Sequence, residues 1–182
     1  MLDVMRQQDF EAGQLVYLDM FIARSLPKYP GQLVLSGSLL NQVLLRLCDP
    51  PSDAIRDDCQ LSVEYLLSAY HPSDVSALVR ALRKARFYRV LKSVYRNEKL
   101  LTELLEAYFE DSEDKYGVFD GIAYCLRPST GAGQKQLQAI KRTILDHAAE
   151  LADISVPLTA GTLASYASDL LSPCMDLSLI HI

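Results

Sequence analysis

An all-α fold is predicted for this chain, made of antiparallel helical hairpins stacked one on the next as an α-solenoid. Three observations lead there. Apolar residues recur at three- and four-residue spacing along nearly the whole length, which lays one apolar stripe along each helix. Strand-like alternation is almost absent, since Leu33-Val34-Leu35 is too short to hold a sheet without partners. Leu66-Leu67-Ser68-Ala69-Tyr70 returns as Leu104-Leu105-Glu106-Ala107-Tyr108, an offset of 38 residues. A period near forty with helix–turn–helix content marks stacked repeats, because one hairpin cannot hide its own apolar stripes.

The elements follow in order. Residues 10–26 carry Leu15, Tyr17, Leu18, Phe21 and Ile22, apolar almost all round, and Pro27 stops the helix. Tyr29-Pro30-Gly31 is a turn. Ser38 is expected to cap a helix to Cys48 that Pro50-Pro51 ends. Ser52 and Asp53 open the next, with Leu61, Tyr65, Leu66 and Tyr70, before His71-Pro72. Ser73 is expected to cap a helix over 74–84, with Asp74 near its positive end. Helices over 86–96, 98–110 and 115–127 follow. The first places Phe87, Val90, Leu91, Val94 and Tyr95 on one stripe, and the second Leu100, Leu101, Leu104, Leu105, Tyr108 and Phe109. Residues 128–133 read as a flexible break. Leu137, Ile140, Ile144, Ala148 and Leu151 mark a helix over 134–151, and Thr159 starts the last, to about 171.

Composition narrows the function. With 182 residues and 49% apolar content, a packed core is feasible and wholesale disorder is not expected. A net charge of −5 argues against nucleic acid as a partner. Asp3, Asp9 and Glu11 do not fit a signal peptide, and Asn41, Gln42 and Arg46 interrupt the most apolar window, so no transmembrane segment is expected. Cys48, Cys59, Cys125 and Cys174 form no CxxC pair and read as free thiols packed as small hydrophobes, as in a reducing compartment.

Catalytic and metal motifs find no home. Gly131-Ala132-Gly133-Gln134-Lys135 lacks the Ser or Thr of a phosphate loop and follows a helix where a strand is required. The 111–117 turn superficially resembles a calcium loop, but Lys115 stands at a ligand position and the glycine arrives one place late. An acidic inter-helix turn explains it, with Asp114 favouring the next helix start. His71 and His147 lack ligand spacing, and no GxSxG or HExxH occurs. The expectation is a protein that is not an enzyme and has no cofactor or metal.

Charge patterning is more informative. Between Arg80 and Lys99 there are eight basic residues and one acid, a net of +7 against −12 for the rest of the chain. Directly afterwards Glu103, Glu106, Glu110, Asp111, Glu113 and Asp114 come with no base before Lys115. In one reading the two runs are solvated faces that complement each other. In the other, Arg83, Lys84, Arg86, Arg89, Lys92 and Arg96 form a basic stripe for an acidic partner or an anionic membrane. Arg86, Arg89, Lys92 and Arg96 are expected on outer or flanking faces.

The run from Arg86 to Arg96, continued through Leu105-Glu106-Ala107-Tyr108-Phe109-Glu110-Asp111 and Val118-Phe119-Asp120-Gly121-Ile122, resembles the vacuolar protein sorting-associated protein 8 family, its fungal forms most of all. The upstream run from Glu11 to Asp19 also resembles it, and the likeness is best over 10–128. These are packing positions, and clathrin-type helical repeats share some of them. The resemblance implies a stretch of the α-solenoid in a subunit of the endosomal tethering complex CORVET. Partners would then be other tethering subunits, with Rab GTPases engaged by parts of the protein absent here. The location implied is cytoplasmic, peripheral on endosome or vacuole membranes. A protein-binding module of another helical-repeat protein is the alternative. Leu177-Ser178-Leu179-Ile180-His181-Ile182 resembles the translation of a common transposase sequencing adapter. The solenoid is therefore expected over 1–171 of a longer protein, with 172–182 a tail.

Overall fold

A computed structural model describes residues 12–174, and every regular element among them is helical. The helices are α1 (Ala12–Ser25), α2 (Gly37–Leu47), α3 (Arg56–Ala69), α4 (Val75–Ala85), α5 (Tyr88–Asn97), α6 (Leu101–Glu110), α7 (Gly117–Leu126), α8 (Gln134–Asp146) and α9 (Ala148–Tyr166). The suspected adapter residues 177–182 lie outside the described residues. Leu33-Val34-Leu35 forms no strand, and Val34 is 88% exposed. No described helix is long and apolar enough to cross a membrane. The chain divides into two compact units, Met1–Val90 and Leu91–Ile182, with the boundary inside α5.

In the first unit α1 packs on α2 and α3, and α2 packs on α3. Arg24, near the end of α1, donates to the Asp58 carboxylate (2.7 Å) and to the Ser62 hydroxyl (2.9 Å), both in the first half of α3. The Tyr70 hydroxyl, just past α3, donates to the Gly37 carbonyl at the start of α2 (3.1 Å). Both α1 and α2 thus run against α3. Asp19 is 2% exposed and takes both arms of Arg46, at 2.7 Å each, so a two-pronged charge-assisted pair ties α2 to α1. Val43, Leu47, Cys59, Val63, Leu66, Leu82 and Phe87 are fully buried.

Two caps differ from expectation. Ser36, not Ser38, accepts from the Leu39 amide, and Asp74, not Ser73, accepts from the Ala77 amide at 2.8 Å. A cap must place its oxygen over the amide three residues ahead, and only those residues stand at that distance from the first turn. Helix α4 ends on Arg86 in the left-handed region (φ 58°), with the Phe87 amide reaching the Leu82 carbonyl. Helix α5 ends likewise on Lys99 (φ 56°), with the Leu100 amide reaching the Tyr95 carbonyl. Each is a helix end that usually takes glycine, followed by an apolar residue.

In the second unit α6 packs on α7 and α8, α7 on α8, and α9 on α7. The Cys125 thiol near the end of α7 donates to the Leu101 carbonyl at the start of α6, which makes that pair antiparallel. The Gln136 amide donates to the Lys99 carbonyl (2.9 Å), and the Thr143 hydroxyl to the Glu106 carboxylate (3.3 Å). Both contacts span 37 residues, so α8 runs parallel to α6 as the next copy in a stack would. Burial does not follow the Leu-Leu-x-Ala-Tyr repeat as closely. Leu66 and Leu104 are both buried, whereas Ala69 is exposed and Ala107 is buried.

The helix expected over 134–151 stops at Asp146, and α9 begins at Ala148. Helix α9 is itself kinked at Ser155 (φ −170°, ψ 107°), two residues before Pro157. Proline disfavours helical geometry before it and supplies no amide donor. Thr159, expected to open the last helix, lies within it. Its hydroxyl sits 2.8 Å from the carbonyls of both Leu151 and Ser155.

Candidate interaction surface

Four of the six basic residues singled out from sequence lie in the first unit, and all four are exposed: Arg83, Lys84, Arg86 and Arg89. Arg80 on α4 is exposed with them. The opposite side of α4 buries Leu78, Leu82 and Ala85, so packing itself turns the charged side outward. Lys84 faces Asp49 at 3.1 Å with both side chains about three-quarters exposed (75% and 76%). Arg89 pairs with Glu64, and its backbone amide donates to the buried Gln60 side chain (3.2 Å), which caps the start of α5.

The remaining two lie in the second unit and are drawn inward to different degrees. Lys92 was expected on an outer or flanking face, yet it is only 7% exposed. Its ammonium lies 2.8 Å from Asp111, 3.3 Å from Asp114 and 4.1 Å from the Tyr108 ring centroid. The acidic turn after α6 closes on this position, and two carboxylates and a ring face replace the water lost. Arg96 stays exposed but donates to the Tyr108 hydroxyl (3.0 Å) and lies 4.7 Å from the Tyr124 ring centroid. A β-carbon at Gly121 would fall 2.5 Å from the Tyr108 ring, so this glycine makes room for it. Sequence reasoning missed Tyr108, Tyr124 and Gly121 as partners of the basic run. A glycine in mid-helix was the one available signal.

The acidic turn acts as a brace. Asp111 holds Lys92 and accepts from the Glu113 amide (3.1 Å), while Asp114 accepts from the Gly117 amide (3.1 Å) at the start of α7. Among the described residues, no three His, Cys, Asp or Glu side chains gather as a metal site would need. His147 stacks on Phe109 (centroids 4.0 Å apart) and meets Glu150 at 2.9 Å. Burial pushes the Cys48 and Cys125 thiols up to about 12 and Cys59 to about 11, and it also raises Cys174. Thiols held protonated in this way are poor nucleophiles.

Helices that contact the next and the next but one, with polar side chains spent on tying them together, define an all-α segment of helical-hairpin repeats. The chain matches no family model and no solved structure. It is 30% identical over 168 residues to the human vacuolar protein sorting-associated protein 8 homolog, covering 91% of this chain and 12% of that protein. The mouse homolog is 29% identical over 169 residues, with the same shares. Vacuolar protein sorting-associated protein 8 of Saccharomyces cerevisiae is 28% identical over 118 residues, 64% of this chain and 9% of that protein. The chain is thus homologous to vacuolar protein sorting-associated protein 8 over a stretch that spans about 12% of the length of its human and mouse relatives.

Proposed function

We propose that this chain is a non-enzymatic scaffold segment of a vesicle-tethering subunit that serves vacuolar protein sorting. The observation that carries the reading is its likeness, along 91% of its length, to a family named for that process. The 37-residue stacking of α6 and α8 supports it, since stacked repeats hold distant modules apart while presenting a long surface to other subunits. On this reading the partners are other CORVET subunits. Rab GTPases are engaged by other parts of the protein, and the location is cytoplasmic, peripheral on endosome or vacuole membranes. Purification of the tagged full-length protein that carries this segment tests it. Co-purification of the other tethering subunits should survive Gln at Arg83, Lys84, Arg86, Arg89 and Arg96, and should be lost with Asp111→Ala, which loosens the second unit. Retention with both variants, or no tethering subunits at all, would overturn the scaffold. The exposed cations favour one second reading, a module for an acidic protein, and salt-sensitive loss with the Gln variant alone would establish it.

A further inference from the structure

We propose that the corner where α4 gives way to α5 in the first unit is a contact surface for an anionic lipid bilayer. The inference stands on charge and exposure alone and does not require the sorting role. Arg80, Arg83, Lys84, Arg86 and Arg89 are all exposed, with no acid between Arg80 and Arg89 in the chain. Within this group Lys84 pairs with Asp49 and Arg89 with Glu64. Ion pairs this open to solvent are weak, so an anionic surface can compete with them.

A second observation is the corner itself. Arg86 occupies a left-handed backbone conformation where glycine would be unstrained. The chain carries a net charge of −5. At physiological ionic strength the Debye length is about 8 Å. Acids farther away than that are screened, and the cationic corner is the part attracted to a negative plane. The inward turn of Lys92 removes it from the surface, and Arg96, though exposed, is held by the Tyr108 hydroxyl and the Tyr124 ring, so the freely presented cations are those of the first unit.

A bilayer fits better than an acidic peptide. Peptide recognition relies on fixed donors in defined geometry, often paired arginine forks. Here long side chains extend into solvent, with Lys84 75% exposed. A fluid plane of headgroups needs no set orientation and rewards each cation near it.

The test is flotation of the full chain with phosphatidylcholine vesicles, with and without phosphatidylserine, at low and high salt. Wild type should float with the phosphatidylserine vesicles, and less so as salt rises. Arg80→Gln/Lys84→Gln/Arg86→Gln should melt as wild type does and bind about a hundredfold more weakly, at roughly fivefold per cation. A variant of equal charge with Gln at Arg127, Lys135 and Arg142, exposed residues of the second unit, should bind as wild type does. Equal binding to both vesicle types, equal loss in the two variants, or undiminished binding by the first would overturn the proposal. So would displacement by polyglutamate at concentrations too low to screen charge, which would identify an acidic polypeptide as the true ligand.

Discussion

Lys84 and Lys92 stand eight residues apart in one basic run, and each meets an aspartate at about hydrogen-bond distance, 3.1 Å to Asp49 and 2.8 Å to Asp111. The first pair is about three-quarters exposed; the second is about nine-tenths buried. In water the pair gains little, because both charges are solvated before they meet. In the interior neither charge has that alternative, so each depends on the other. The same two residue types therefore make a loose surface contact in the first unit and a brace in the second.

The largest test of that difference is to remove one acid at a time. Asp111→Ala leaves the Lys92 ammonium buried with only the half-exposed Asp114 nearby, and should cost about 3–5 kcal/mol. Asp49→Ala should cost about 0–1 kcal/mol. Urea unfolding of both variants measures the gap, and equal costs would erase the distinction. It follows that replacing Arg89, Lys92 and Arg96 together with Gln should be expensive through Lys92 alone.

Next in size is the space beneath the Tyr108 ring. Gly121→Ala brings a methyl group to 2.5 Å from that ring and should cost about 1–3 kcal/mol by overpacking. Gly117→Ala meets the Asp114 carboxylate, a flexible end that can move aside only by leaving the Gly117 amide and Lys92, so its cost should be about 0.5–1.5 kcal/mol. If the ring is the obstacle, Tyr108→Ala should abolish the penalty of Gly121→Ala in a double-mutant cycle. Additive costs would place the obstacle elsewhere.

Smaller still, Lys84→Gln and Arg89→Gln should each shift stability by under about 1 kcal/mol. A larger loss in either would mean that the first unit also relies on its ion pairs. The two units share one trait, buried thiols. Cys48 and Cys125 are held at about 12 and Cys59 at about 11, against an ordinary 9.0, so the folded state keeps protons that the unfolded chain releases. Their contribution is fully present below about pH 9 and is lost as pH rises toward 12. Melting temperature should fall progressively over that window, and Cys125→Ala should make the fall shallower.

Helix type and approximate position were legible in the chain, because three-four apolar spacing together with prolines suffices to mark a helix and its end. Leu82, Phe87, Leu91, Leu104 and Leu105 are buried as that spacing requires. The four cysteines are also free and buried, as the lack of a CxxC pair implied. Only the tertiary structure decided that Lys92 turns inward, since its partner Asp111 lies 19 residues away and nothing local separates it from Lys84. Only the structure made corners of Arg86 and Lys99, which lack the glycine that announces such turns. It also placed α8 beside α6 at a 37-residue offset, because stacking needs complementary surfaces and not similar letters. Periodicity is a property of neighbours along the chain, and so can be read from it. Which charge is buried depends on neighbours in space, and the chain acquires those only by folding.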